Sequence, residues 1–321
     1  METRQLGKRG PQITTVGLGA WAIGGADWSH GWGPQDDDES VRAIQAAIDS
    51  GVNWVDTAAV YGFGHSEEVV GRAVKGRRDQ VMIFTKCGLE ENKDKPGTSF
   101  TNLTPAFIRQ EIERSLRKLG TDYVDLYQFH WPDRDTGAPL EDSWATMQEL
   151  VKEGKVRYVG VCNFDSELLK QCLAVGPVDS LQPPYSLVRR EYETDGTLDF
   201  CRENGIGVIV YSPMGSGLLT GRFDINKVAD NDWRKSSPRF EEPKLSQGIT
   251  LVERIRPIAE RHGKTVGQLA IAWTLANPAV TGAIVGARNA EQAQENNGAA
   301  DWQLTSAEIS EIAQAIQESS L

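Results

Sequence analysis

Asp56 closes an apolar run, VNWVD, and five residues later the chain presents a phenol, Tyr61, inside the stretch TAAVYGFGHSEEVVG. Two more polar groups stand at comparable places: Lys86 near the end of VMIFTKC, and His130 at the end of VDLYQFH, followed by Trp131. Each alone has an ordinary explanation as a solvated ion pair, a packed loop ring or a histidine bonded to a carbonyl. Together the four types make a proton-transfer device. A phenol with an ordinary pKa of about 10 is a weak acid at neutral pH. A neighbouring ammonium favours the phenolate and is expected to draw that pKa toward the working range. The aspartate would keep the lysine charged and fix its direction, while a histidine N–H orients a carbonyl oxygen. An acid at that oxygen calls for a nucleophile at the carbon. No side chain of the set is suited to attack, so the expected attacker is a hydride from a cofactor.

The elements that must position these groups are legible as periodicity. Short apolar runs (TVGLGAW, VNWVDTA, VMIFTKC, VDLYQFH, VRYVGVCNF, DSLQPPYS, GVIVYSP and TGAIVGA) alternate with segments whose apolar residues recur every three or four positions. Thr104-Pro105 supplies a cap and an N1 proline, and Gly120 lies just beyond that helix's end. Continuous apolar strands alternating with helices predict a covered parallel sheet. Eight such units predict an α/β fold, a closed (β/α)8 TIM barrel, rather than an open doubly wound sheet. RQLGKRGPQITTV reads as an N-terminal β-hairpin closing the barrel bottom. Residues 222–243 read as a long polar loop after the seventh strand. Residues 250–262 read as an extra helix, and SAEISEIAQAIQESS as a final one capped by Ser306 or Thr305. No linker interrupts the pattern, so residues 1–321 are read as one domain. In such a barrel the chemistry lies at the carboxyl ends of the strands, where strands two, three and four aim Asp56, Lys86 and His130 into one small volume.

Composition narrows the partners. The 321 residues carry a net charge of −11, which argues against nucleic acid or an anionic membrane as a partner. Cys87, Cys162, Cys172 and Cys201 show neither CxxC nor metal-ligand spacing, so free thiols and no metal site are expected. With no run long enough to span a membrane and no signal-peptide core in METRQLGKRGPQITTVGLG, a cytoplasmic location is expected.

DTAAVYGFGHSEEVVG, TK at 85–86, QFHWP at 128–132, GKVRYVGVCNF and GAIVGARNAEQAQENNGA together resemble the aldo-keto reductase superfamily, nearly end to end. GLGAWAIGG and YGFGHSEE resemble its bacterial branch acting on sugar aldehydes, methylglyoxal-like carbonyls and polyols. The resemblance implies an eight-stranded barrel and a tetrad of Asp56, Tyr61, Lys86 and His130, with tyrosine as general acid. It also implies NADPH lying extended across the barrel mouth without a GxGxxG motif. Asn163 and Gln182 would then hold the nicotinamide carboxamide, and Tyr211 would stack under the ring. Cys162 stands where the family usually has serine, and a thiol is the weaker donor.

Other readings concern the two ends of that cofactor. The small residues of SPMGSGLLTG, namely Ser212, Pro213, Gly215, Gly217 and Gly221 with Leu218 among them, would let backbone amides approach a pyrophosphate. After Gly286 a helix capped by Asn289 would offer its amino end to phosphate. Arg288 is a fork able to hold the 2′-phosphate of NADP, which makes NADP the expected cofactor without excluding NAD. Gln292, Glu295 and Asn296 would meet ribose and adenine. Trp21, Trp28, Trp32 and Trp131 are expected to line a pocket for a small carbonyl compound or sugar, since aromatic faces stack on sugar CH faces. His30 belongs to the loop GGADWSHGWGPQDDDES after the first strand, and Trp233, Arg234 and Arg239 in the polar loop after the seventh read either as a lid closing over cofactor or substrate or as part of a disordered surface loop. Two other functions fit the same residues: a Schiff-base aldolase using Lys86, or a cofactor-binding regulator like the β-subunits of potassium channels. No oligomeric partner is legible.

Overall fold

Residues 1–230 and 232–320 are described by a computed structural model. The chain opens with the expected hairpin, β1 (Thr3–Gln5) against β2 (Gln12–Thr14). Three barrel strands follow: β3 (Val16–Gly19), β4 (Trp54–Asp56) and β5 (Met82–Cys87). A second antiparallel hairpin, β6 (Leu89–Glu91) and β7 (Ser99–Thr101), rises from the loop after β5 and was not expected from the sequence. The remaining barrel strands are β8 (Val124–Phe129), β9 (Val156–Cys162), β10 (Ser180–Gln182), β11 (Gly207–Tyr211) and β12 (Gly282–Gly286). The eight expected runs thus form one closed parallel barrel, β12 pairing with β3 to complete the ring.

Helices cover it: α1 (Asp37–Asp49), α2 (His65–Val74), α3 (Pro105–Leu119), α4 (Leu140–Lys152), α5 (Ser166–Val175), α6 (Glu191–Thr194), α7 (Thr197–Asn204), α8 (Lys244–Arg261), α9 (Val266–Ala276), α10 (Ala290–Asn297) and α11 (Ser306–Glu318). Their ends follow the local chemistry. The hydroxyl of Thr104 accepts from the Phe107 amide, and Gly120 ends α3 at a φ of 64°, the left-handed region that glycine tolerates. Thr305, rather than Ser306, caps α11 in a reciprocal box with Glu308. The extra helix α8 begins at Lys244, six residues before the expected start at 250.

Strand side chains alternate between two cores. Outward residues such as Val55, Ile83, Tyr127, Val159 and Leu181 pack beneath the helices. Inside, Trp54, Phe84, Leu126, Ile209 and Ile284 form an apolar plug completed from below by Leu6 and Ile13 of the hairpin segment. The Trp54 indole donates to Thr14 O at 2.8 Å, fastening the hairpin to the barrel floor. Above the plug the inward positions turn polar. Asp56, Lys86, Gln128, Ser180 and Gln182 are all buried there.

Candidate active site

Burial makes the polar layer specific, because buried polar groups must find partners. Lys86 Nζ donates to Asp56 Oδ1 at 2.6 Å and to Thr57 O at 2.9 Å, and it lies 3.4 Å from the Tyr61 hydroxyl. Asp56 spends its second oxygen on Gln182 Nε2 at 2.9 Å, and Gln182 also reaches Gln128 Oε1 at 3.3 Å. Gln182 therefore braces Asp56, a job the sequence did not assign to it. Gln128 was overlooked altogether; its signal was an amide inside the otherwise apolar run VDLYQF.

Tyr61 is fixed by its loop. Gly24 and Gly62 meet so closely that a Cβ on Gly62 would lie 2.3 Å from Gly24 O. Gly62 also has a φ of 59°. Two glycines thus lock the loops after β3 and β4 together beside the phenol. His130 follows β8, and its ring packs edge-on to Tyr61 with centroids 5.6 Å apart. The structure brings the four groups together at the carboxyl ends of neighbouring strands.

The electrostatics differ from the simple expectation. Burial pushes the Tyr61 pKa up to about 12, overriding the downward pull of Lys86. Burial alone would lower Lys86, but the Asp56 charge and hydrogen bond hold it above its ordinary value, as an ammonium. Burial also raises Asp56 against the pull of Lys86 and Gln182. His130 is held well below its usual range by burial, then by Lys86 and His30, so it is a neutral imidazole at neutral pH. The arrangement stores a proton on Tyr61 rather than creating a ready phenolate.

A cleft of about 970 Å³ opens above this layer. It is lined by Asp56, Tyr61 and His130, and by most of the expected cofactor residues: Asn163, Gln182, Tyr211, Ser212, Pro213, Gly217, Gly286, Arg288, Gln292, Glu295 and Asn296. Lys86 lies behind the wall. Gly215, Leu218 and Gly221 do not line the cleft. Leu218 instead packs with Phe240 and Leu245, and the amides of Gly215 and Gly217 are bonded to Ser212 O and Met214 O. Those two amides are closed to a pyrophosphate. Ser216 and Thr220 of the same turn line the cleft, as do Thr265 and Gly267 at the start of α9.

Asn163 donates from Nδ2 to His130 O at 2.9 Å and accepts from the Tyr211 hydroxyl at 2.9 Å, which sets the Tyr211 ring. Its φ of 64° is one that asparagine accepts more readily than most residues. The Cys162 thiol is buried between the Asn163 and Gln182 amides, at 3.1 and 3.8 Å. At the other end α10 is capped by Asn289, whose side chain accepts from the Gln292 amide nitrogen. A side chain on Gly286 would have no protein atom nearer than Gly19 O at 3.9 Å and would take up cleft space. Amides and a tyrosine at one end, and an arginine beside a helix amino end at the other, fit an extended dinucleotide.

Aromatic rings close the substrate side. Trp21 stacks on Trp233 at 5.6 Å and meets Trp32 edge-on at 5.5 Å; Trp28 contacts Tyr61 at 5.7 Å. Trp131 lines the cleft apart from them, its ring beneath Arg134 at 5.5 Å. The cluster therefore joins the loops after β3 and β11, while the expected contribution from the loop after β8 is separate. Leu89 and Ser99 of the second hairpin add to the wall.

A closed parallel barrel with a buried lysine–aspartate pair and a tyrosine at its carboxyl face defines a class of (β/α)8 proteins whose site lies in the strand-end loops. Residues 15–317 match the model of the aldo/keto reductase family, and the chain belongs to that family of oxidoreductases. It is 38% identical over 316 residues to the aldo-keto reductase YhdN of Bacillus subtilis, covering 97% of this chain and 92% of that protein. It is 35% identical over 330 residues to the NADH-specific methylglyoxal reductase of Escherichia coli, covering 99% and 100%. Among solved structures, the glycerol dehydrogenase of Gluconobacter oxydans superposes with a TM-score of 0.88 at 35% identity, over 98% of this chain and 95% of that one. Among the described residues no helix is long and apolar enough to cross a membrane. No cluster of ligands suited to a metal ion occurs among them, and the four cysteines are free and buried.

Proposed function

We propose that the chain catalyses reversible hydride transfer between a nicotinamide cofactor, NADPH by preference, and a small polar aldehyde, ketone or sugar, with Tyr61 exchanging the proton. The observation that carries this reading is the Lys86 ammonium, 2.6 Å from Asp56 and 3.4 Å from the Tyr61 hydroxyl, buried just behind the cleft wall that Asp56 and Tyr61 line. The nicotinamide, when bound, supplies the hydride. Tyr61 donates its proton to the substrate oxygen as that oxygen becomes an alkoxide, a far stronger base than the phenolate left behind. Lys86 stabilises that phenolate, and Asp56, braced by Gln182, keeps Lys86 charged and aimed. The neutral His130 ring is suited to donate to the same oxygen. Asn163, Tyr211 and Arg288 would hold the cofactor.

The names of two relatives, a methylglyoxal reductase and a glycerol dehydrogenase, support a short polar substrate. One relative is NADH-specific and another carries NADP(+) in its name, so the preference for NADPH rests on Arg288. The ion pair disfavours a Schiff-base aldolase, which needs Lys86 as a free amine. Turnover is tested by following reduced nicotinamide absorbance with short aldehydes, ketones and sugars. Tyr61→Phe should lose about 10² to 10⁴ of kcat while still binding NADPH. If no carbonyl compound is turned over, the channel-subunit type of regulator becomes the better reading.

A further inference from the structure

Arg288 reaches across the cleft rim to the loop after β3. Its Nε donates to Gln35 Oε1 at 2.6 Å, and its Nη2 donates to Pro34 O. Gln35 returns the contact, its Nε2 donating to Arg288 O at 2.8 Å. On the other side the Arg288 amide donates to Gln292 Oε1 at 2.9 Å. Main chain and guanidinium are therefore both clasped, and two residues supply the clasp from a loop 253 positions earlier in the chain. Neither Pro34 nor Gln35 lines the cleft, whereas Arg288 does.

The chemistry of the fork gives this arrangement a consequence. A guanidinium has five N–H donors in one plane. Here the edge made by Nε and Nη2 is turned to the loop, and Nη1 makes no hydrogen bond to any of the described residues. Left to itself, an arginine at a rim samples many rotamers, and a ligand that captures it must order it. Held from behind, the same arginine meets the ligand already ordered. We propose that Gln35 is a positioning residue for nucleotide choice: by clasping Arg288 it presents the free end of the guanidinium as a fixed receptor for the 2′-phosphate, favouring NADPH over NADH.

This inference rests on the reading of Arg288 as the 2′-phosphate ligand, and the test separates the two. Dissociation constants for NADPH and NADH are measured by calorimetry, without turnover, on the full chain and on Gln35→Ala, Arg288→Ala and the double variant. The expected result is a loss of about three- to tenfold in NADPH affinity for Gln35→Ala, the weight of ordering one long side chain, with NADH unmoved. Arg288→Ala should lose more, again for NADPH alone, and adding Gln35→Ala to it should change nothing further. Unchanged or tighter NADPH binding in Gln35→Ala would overturn the clasp as a positioning device while leaving Arg288 in place. Equal weakening of both nucleotides would overturn it too, by showing general damage to the loop. An Arg288→Ala protein that binds NADPH as the parent does would remove the underlying assignment and this inference with it.

Discussion

The pKa of Tyr61 is where the single residue says more than its motif. From the sequence, Lys86 was expected to make the phenol a ready proton exchanger near neutral pH. The structure buries Lys86, Asp56 and Tyr61 together, and burial wins, leaving the phenol at about 12. The sign of the consequence is clear. Below that value Tyr61 carries its proton, so it serves as an acid throughout the neutral and alkaline range. As a base for alcohol oxidation only the phenolate fraction works, and that fraction grows about tenfold per pH unit below the pKa. Reduction should therefore stay level across the alkaline range while oxidation climbs. Measuring kcat/KM in both directions against pH checks this, and a reductive limb that falls near neutrality would contradict it. The four polar groups were legible because each interrupts or follows an apolar run. The bracing of Asp56 by Gln182 was not, since an amide at a strand end gives no sign of which neighbour it will bond.

At the scale of elements, the eight strands were readable because each is a short apolar run between helix-patterned segments. The β6–β7 hairpin escaped because its strands are three residues each and include Glu90, Glu91 and Ser99. Sequence periodicity also did not reveal that α2 and α3 each bury a carboxyl against β5. Thr85 Oγ1 donates to Glu67 Oε1 at 2.7 Å, and the Gly88 amide donates to Glu111 Oε2 at 2.7 Å. Glu67 Oε2 has no partner among the described residues. Burial raises Glu67 to about 7 against the pull of Thr85, and it raises Glu111 to about 8 against the pull of the Gly88 N–H, with Glu67 adding repulsion. Both folded values exceed the reference of 4.5, so the folded chain holds more protons than the unfolded one in between. Stability from this pair is complete below the unfolded value and is lost as pH rises through the folded values. Urea unfolding at about pH 6 and about pH 8.5 should show a decline on the order of 1–3 kcal/mol per carboxyl. Glu67→Gln with Glu111→Gln should flatten it; an unchanged decline in the double variant would place its origin elsewhere.

Over the whole molecule, the barrel is closed at one end by the N-terminal hairpin and partly roofed at the other by two loops that meet through tryptophans. The segment 222–243 looked like an irregular polar loop, and its sequence indeed lacks periodicity. What orders it is tertiary: Trp233 stacks on Trp21 at 5.6 Å, Arg234 lies over the Trp32 ring at 4.4 Å, and Arg234 pairs with Asp232 at 2.7 Å. Contacts between loops more than 200 positions apart leave no local trace in either one. Because these contacts lie at the mouth, outside both barrel cores, the roof should open independently of global unfolding. Trp233→Ala removes the stacked ring, and such pairs contribute about 0.5–1.5 kcal/mol beyond their burial. Brief trypsin treatment should then cut within 222–243 roughly three- to tenfold faster than in the parent, the rate following the population of the open form. The thermal midpoint should hardly move, and Trp233→Phe should restore most of the protection. A midpoint that drops together with the faster cleavage would mean that the roof and the barrel unfold as one unit, and that access to the cleft is tied to the stability of the whole fold.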